Sequence, residues 1–115
     1  MGSDIHIYIN AKLPDDDYWE TVLWDIDPGR NYDRFAILAD VRNYNDVKPI
    51  PSVPWTEEEM KSLDPDDNFH SRRKITGQQF VDTIGLVFGP WGALSAWINH
   101  MLCTHEVEVL MGFDS

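Results

Sequence analysis

The chain has 115 residues, 43% of them apolar and 12% aromatic, which fits a single domain and excludes a disordered protein. Twenty acidic residues against nine basic ones give a net charge of −11, and sixteen of the twenty lie before Asn68. Such a charge disfavours direct binding to nucleic acid or to an anionic membrane and favours binding to a basic surface. The single cysteine excludes an internal disulfide and a zinc site built from several thiolates.

The sequence predicts a protein that is not inserted in a membrane. It contains no run of about 18 apolar residues, the length that a membrane-spanning helix needs. It also lacks a charged segment followed by an apolar one at its start, so we expect a cytoplasmic location.

The first strand is predicted from the strict alternation of residues 4–10. Isoleucines occupy positions 5, 7 and 9 and would face one side of an extended chain. The other side would carry Asp4, His6, Tyr8 and Asn10. A carboxylate, an imidazole and a phenol in one row exceed what a solvated strand needs, so this face is a candidate site.

A hairpin and a helix follow in chain order. Aromatic and branched side chains over 18–24 come after a polar turn and predict a hairpin over residues 4–24. After a second turn, Asn31 can cap a helix that runs from Tyr32 to about Arg42.

The middle of the chain predicts two loops separated by a short helix. Three prolines make residues 43–55 extended or irregular. Thr56, with Glu59 three residues later, matches a capping box and begins a helix that ends near Leu63. Residues 64–74 change from acidic to basic, which predicts a charged loop whose basic run pairs with the acidic side chains before it.

The last third predicts two helical segments and a strand. Thr76 can cap a helix whose apolar face would include Phe80, Ile84, Val87 and Phe88. Residues 89–92 (Gly-Pro-Trp-Gly) would interrupt it before a second segment over 93–102. Residues 105–111 alternate and predict a final strand.

The order of these elements predicts an α+β fold in one domain, residues 1–115. We expect a small antiparallel or mixed sheet that includes both terminal strands, packed against three to four helices. The last strand would lie beside the first, which would hold both chain ends in the sheet.

A metal site is the first candidate site. Asp4 and His6 would lie about 7 Å apart on one strand face, given a rise of about 3.3 Å per residue. With Asp67 and His70 from the charged loop they allow a mixed Asp/His site for zinc, manganese or iron. Water on such a metal could attack a phosphoester. The alternative is that His6 makes an ordinary hydrogen bond and His70 is exposed in a loop.

A partner-binding surface is the second candidate site. Its carboxylates would be those of Asp15, Asp16, Asp17, Glu57 and Glu58. Trp55, between prolines, and Trp91, beside Pro90, are predicted in loops and could be exposed anchors for a partner. The alternatives are that the negative charge serves solubility and that these tryptophans belong to the core.

Three segments are distinctive: Met-Gly-x-Asp-Ile-His at the N-terminus, Arg-Asn-Tyr-Asp-x-Phe-Ala-Ile-Leu-Ala-Asp-Val-Arg-Asn at 30–43, and Asp-x-x-His-Ser at 67–71. Together they resemble a family of small uncharacterised proteins from bacteriophage and prophage genomes, over roughly the first 80 residues. The segment at 30–43 is the most specific, whereas residues 50–55 depart from the Ile-x-x-Pro-Arg-Gly-Leu-Pro pattern of the family. The resemblance implies a phage origin and no particular activity.

Two functions remain open at this point. In the first, which we favour, the protein is a phage-encoded acidic binding protein without a cofactor. It would inhibit a host complex that handles nucleic acid, for example a defence complex of the CRISPR type, by direct binding or by nucleic-acid mimicry in the bacterial cytoplasm. In the second, it is a metal-dependent phosphoesterase or a nucleotide-binding protein that uses a divalent metal on Asp4, His6, Asp67 and His70.

Overall fold

The part of the chain that the structure describes contains five strands and four helices. A computed structural model describes residues 2–114 of the chain. The strands are β1 (Asp4–Lys12), β2 (Glu20–Ile26), β3 (Val53–Pro54), β4 (His70–Thr76) and β5 (Glu106–Asp114). The helices are α1 (Tyr32–Ala39), α2 (Glu57–Leu63), α3 (Gly77–Ile84) and α4 (Pro90–Met101).

The two terminal strands pair at the centre of the sheet. The strand order is β2-β1-β5-β4-β3, and each neighbouring pair is antiparallel. β1 and β5 pair without a register shift, from Asp4 opposite Asp114 to Lys12 opposite Glu106. The predicted α+β class, with both terminal strands in the sheet, is therefore confirmed, as is the predicted hairpin of β1 and β2.

One face of the sheet carries the main core. Ile5, Ile7 and Ile9 of β1 are completely buried there. Three helices cover this face, α1 with Phe35, α3 with Phe80 and α4 with Ile98 among their buried side chains. The alternation of β1 thus produces the apolar face that its period of two predicts.

The opposite face of the sheet is partly covered by α2 and the chain before it. A smaller buried cluster forms there, made of Tyr8, Trp55, Leu63 and Leu110. Asn10 is also buried on this face, whereas Asp4 and His6 are partly exposed. The sheet therefore lies between two layers of different size, and the open part of the smaller layer carries polar side chains.

The helix starts lie where the sequence predicts them. The Asn31 side chain accepts a hydrogen bond from the Arg34 backbone N–H at 3.1 Å. Thr56 and Thr76 each form a complete capping box, which satisfies backbone donors that a helix leaves unpaired. α1 is shorter than predicted because Asp40, in the left-handed region at φ 59°, ends it.

Two predicted boundaries are wrong. Residues 70–76 belong to strand β4 and not to a charged loop. α3 ends at Ile84, and residues 89–92 begin α4 instead of interrupting a helix, because Pro90 occupies the first helical position, where no N–H is needed. Val87 and Phe88 consequently lie in a loop, and Phe88 is fully exposed instead of facing the core.

Candidate functional site

A cleft of about 550 Å³ lies between α2 and the turn that joins β1 to β2. The strand residues that line it are Asn10, Thr21, Lys74 and Glu108. The turn contributes Asp17, Tyr18 and Trp19, and α2 with its cap contributes Thr56, Glu58, Glu59, Ser62 and Leu63. We call this the acidic cleft.

Four carboxylates and one ammonium group line the acidic cleft, which gives its lining a formal charge of −3. Lys74 Nζ lies 3.1 Å from Glu59 Oε1 and 3.4 Å from Glu108 Oε2. Burial lowers the pKa of Lys74, but the hydrogen bond to Glu59 and the attraction of Glu108 outweigh burial, so the pKa is raised. Burial, together with the negative charges of Glu59 and Glu106, raises the pKa of Glu108 despite the opposing effect of Lys74. Lys74 therefore stays protonated and compensates only part of the negative charge.

The exposed carboxylates of the acidic cleft have no basic partner. Among residues 2–114 no side chain forms an ion pair with Asp17 or Glu58. The same is true of their exposed sequence neighbours Asp15, Asp16 and Glu57. The structure thus brings the two predicted acidic runs, one from the turn and one from α2, to opposite sides of one cleft.

The tryptophans predicted as exposed anchors are buried, and that prediction is wrong. Trp55 and Trp91 are each only 4% exposed. Trp55 Nε1 donates to the Arg73 carbonyl at 3.0 Å, and Trp91 Nε1 donates to the Gly29 carbonyl at 3.2 Å. Both indoles can pack inward because a backbone carbonyl accepts their one polar hydrogen.

Different aromatic side chains line the acidic cleft. β2 begins at Glu20, so Tyr18 and Trp19 lie in the turn before it, where Tyr18 is 84% exposed. The Trp19 ring centroid is 5.6 Å from Lys12 Nζ, a cation–π contact within the chain. The cleft therefore combines unpaired carboxylates with an aromatic ring that contacts an ammonium group.

The structure does not gather the four predicted metal ligands around one point. The Asp4 carboxylate accepts a hydrogen bond from Arg30 Nε at 2.7 Å, which lowers the pKa of Asp4. Asp67 pairs with Arg72 at 2.8 Å, and His70 Nδ1 is hydrogen-bonded to its neighbour in sequence. Over the described range 2–114, no three His, Cys, Asp or Glu side chains could hold a metal ion together. The metal-dependent function stays a prediction, and this geometry gives it no support.

His6 is instead held between two carboxylates. Its Nδ1 lies 2.5 Å from Asp25 Oδ1, and its Nε2 lies 2.6 Å from Asp114 Oδ2. Burial lowers the pKa of His6, but the hydrogen bonds to Asp114 and Asp25 outweigh burial and raise it. Because a neutral imidazole has one N–H, two carboxylate partners favour the doubly protonated ring. The carboxylates lie at opposite nitrogens, so this group holds the fold together and does not form a metal site.

Sequence reasoning missed the aromatic and inner acidic residues of the cleft. The sequence predicts Tyr18 and Trp19 in a strand, and it indicates Glu59 only as part of a helix cap. Glu108 lies on the polar side of the alternating final strand, where its placement beside Asn10 follows once β1 and β5 are paired. The alternation of the final strand could therefore have predicted that Glu108 lies beside Asn10. No local sequence pattern predicts that α2 faces the β1–β2 turn.

In comparisons with known proteins, the chain matches no protein-family model, no curated protein sequence and no solved structure. The resemblance to phage proteins therefore stays a prediction. None of the helices within residues 2–114 combines the length and the apolar character needed to cross a bilayer.

Proposed function

We propose that the protein binds a basic protein surface through the acidic cleft, and that the surface belongs to a complex that handles nucleic acid. The observation that carries the proposal is the pair of unpaired acidic runs on either side of one cleft. Asp17 and Glu58 line it, and neither forms an ion pair within the part of the chain that the structure describes.

Charge supports a basic partner. Most carboxylates elsewhere in the sheet region have cationic partners: Asp4 pairs with Arg30, and Glu106 pairs with Lys12. Two runs of carboxylates without an ion pair, residues 15–17 and 57–58, lie at the cleft and the turn beside it, where they attract cations and steer their approach. Proteins that bind nucleic acid present lysine and arginine side chains to phosphates, and a carboxylate-lined cleft competes for the same side chains.

The aromatic side chains favour arginine or lysine over a simple ion. A guanidinium group can stack on a ring while its N–H groups bond to a carboxylate. Tyr18 is exposed beside Asp17, and Trp19 already contacts an ammonium group of the same chain. The apolar stem of a long cationic side chain could therefore pack on one of these rings while its charged end pairs with a carboxylate of the cleft.

The biological setting extends the proposal. The resemblance to phage proteins points to a phage-encoded inhibitor that acts in the bacterial cytoplasm, and the acidic cleft would be the part that occupies the nucleic-acid groove of a host complex. No cofactor enters such a mechanism, because binding alone would block access of the nucleic acid.

Titration of a labelled oligo-arginine peptide tests the proposed cleft. We expect Asp17→Asn with Glu58→Gln to weaken binding about tenfold, since two partly screened charge contacts contribute roughly 0.7 kcal/mol each. The matched control is Asp33→Asn with Asp46→Asn, two exposed sites that remove the same charge outside the cleft. The control should change the affinity less than about twofold. Equal losses in both double variants would show that only net charge matters and would overturn the proposed site.

Capture from a nuclease-treated bacterial lysate tests the class of partner. Nucleic-acid-binding proteins should be retained by the native protein and by the control, lost with the cleft variant, and released by added duplex DNA. Retention that is the same for all three proteins, or that DNA does not reverse, would contradict competition for a nucleic-acid groove.

A further inference from the structure

The loop between α3 and α4 presents an apolar surface on the side of the molecule formed by these helices. It consists of Leu86, Val87 and Phe88, which we call the apolar loop. Leu86 is 75% exposed and Phe88 is fully exposed. A phenylalanine without any cover leaves a large apolar area in water, and such an area is typical of an interaction surface when it is part of a patch.

Glycines permit the backbone path of the apolar loop and its close packing on α4. Gly85 and Gly89 flank it at φ 74° and φ 90°, in the region that favours glycine. A Cβ atom at Gly92 would lie 1.6 Å from the Val87 carbonyl oxygen, so the loop backbone packs directly on the first turn of α4. Because the loop backbone packs against the helix, it presents Phe88 outward, and little further ordering of the backbone is needed on binding.

A shallow groove lies beside the exposed ring. It measures about 370 Å³ and is bordered by the apolar loop and by Gly92, Ala93 and Ala96 of α4. The exposed side of this helix carries small residues where the groove runs. A projecting ring and a groove bordered by small side chains therefore lie on the same surface.

The segment that forms this surface differs in charge from the rest of the chain. Residues 83–105 contain no Asp, Glu, Lys or Arg, although the whole chain carries −11. A basic partner is therefore not attracted to it. Two copies of the chain, which repel each other through their acidic surfaces, would experience least repulsion where they meet through this uncharged segment.

We propose that a second copy of this chain covers the apolar loop, in a two-fold dimer in which Phe88 of each copy enters the groove of the other. A two-fold interface uses the same patch twice and so requires that patch to complement itself. The ring and the groove meet this requirement because each copy offers both. The dimer is independent of the acidic cleft, which lies against α2 and stays open.

Sedimentation equilibrium over a range of protein and salt concentrations tests the dimer. The patch is small, so we expect a dissociation constant of about 10–100 µM. Phe88→Ser should weaken the dimer at least about 30-fold, as the loss of a central aromatic anchor does.

Leu13→Ser is the control, because Leu13 is an exposed apolar side chain in the β1–β2 turn, and this variant should leave the dimer unchanged. Added salt should strengthen the dimer because it screens the repulsion between acidic copies.

A pair of complementary variants tests the contact itself. Phe88→Lys places a cation on the ring position and Ala96→Glu places an anion in the groove, so each variant alone should be monomeric. Their mixture should form a heterodimer, in which the opposite charges meet. A native protein that stays monomeric at every concentration, a dimer indifferent to Phe88→Ser, or Phe88-dependent binding of the monomer to phosphatidylcholine vesicles would overturn the proposal. Oligo-arginine binding, measured on the same samples, should not respond to Phe88→Ser, so the two proposals fail independently.

Discussion

His6 connects three strands of the sheet through a single side chain. It projects from β1, and its ring nitrogens contact Asp25 of β2 and Asp114 of β5. The ring also stacks on Phe69, with 4.4 Å between the centroids. A side chain that the sequence placed in a candidate metal site therefore joins the edge strand to the two central strands.

The protonation of His6 should make stability depend on pH. Its folded-state pKa is raised above the ordinary 6.5. The stabilisation by the protonated ring is therefore fully present below that value and is lost as the pH rises through the folded-state pKa. We expect His6→Gln to remove about 1 kcal/mol of this pH-dependent stability, the range of a partly exposed charge pair.

Urea denaturation of the native protein and of His6→Gln, at several pH values from below 6.5 to well above it, would measure how the free energy of unfolding depends on pH. The exposed His100 provides the control, because His100→Gln should keep the native pH dependence. If His6→Gln has the same pH profile as the native protein, the two carboxylate contacts of His6 do not stabilise the fold.

Ser95 is a second residue whose substitution should change the free energy of unfolding. Its hydroxyl oxygen is completely buried in α4 and has no hydrogen-bond partner among the described residues. Because a buried polar group without a partner destabilises the fold, Ser95→Ala should raise the free energy of unfolding by about 1 kcal/mol. The exposed Ser62 of α2 provides the control, since Ser62→Ala changes only helix propensity, by a few tenths of a kcal/mol. Denaturation that shows Ser95→Ala to be less stable would contradict this account of α4.

At the scale of elements, the helix starts were predictable and the strand β4 was not. The caps at Asn31, Thr56 and Thr76 depend on residues three apart in the chain, so the local sequence contains the whole signal. β4 carries the polar run His-Ser-Arg-Arg-Lys, which has no apolar alternation. It forms a strand because β5 pairs with it and because other parts of the chain bind its cations. Arg72 pairs with Asp64 of the preceding acidic loop, as the sequence predicts, and Lys74 pairs with Glu59 of α2. Arg73 donates to the hydroxyl and carbonyl oxygens of Ser52.

The acidic cleft could be predicted only in part, because it too depends on contacts between segments that are distant in the sequence. Its exposed acidic residues, Asp17 and Glu58, belong to two acidic runs that the sequence indicates as candidates, whereas nothing in the sequence singles out the inner Glu59 and Glu108 as members of one site. Their meeting depends on how α2 packs over β1 and β5, through side chains such as Leu63 and Leu110. The burial of Trp55 has the same origin, because its partner carbonyl belongs to Arg73, eighteen residues away. Local patterns thus identify which residues carry charge, and tertiary contacts decide which of them share a site.

At the scale of the whole molecule, the acidic cleft and the apolar loop lie in different parts of the fold. Unpaired carboxylates lie at the turn after β1 and at the start of α2, whereas the apolar loop lies within an uncharged stretch of the chain. The two surfaces should therefore respond to salt in opposite directions. Binding of a basic partner should weaken as salt is added, and self-association should strengthen.

The most direct test of the acidic cleft is an NMR titration of the native protein with unlabelled oligo-arginine peptide, followed through backbone amides and tryptophan indoles. We expect the largest shift changes at residues 17–19, at 58–62 and at Glu108, with the Trp19 indole moving and the buried Trp55 indole staying in place. These changes should diminish as salt is added at constant peptide concentration. Shift changes spread evenly over all acidic residues, or centred on Asp33 and Asp46, would contradict a cleft that binds basic side chains.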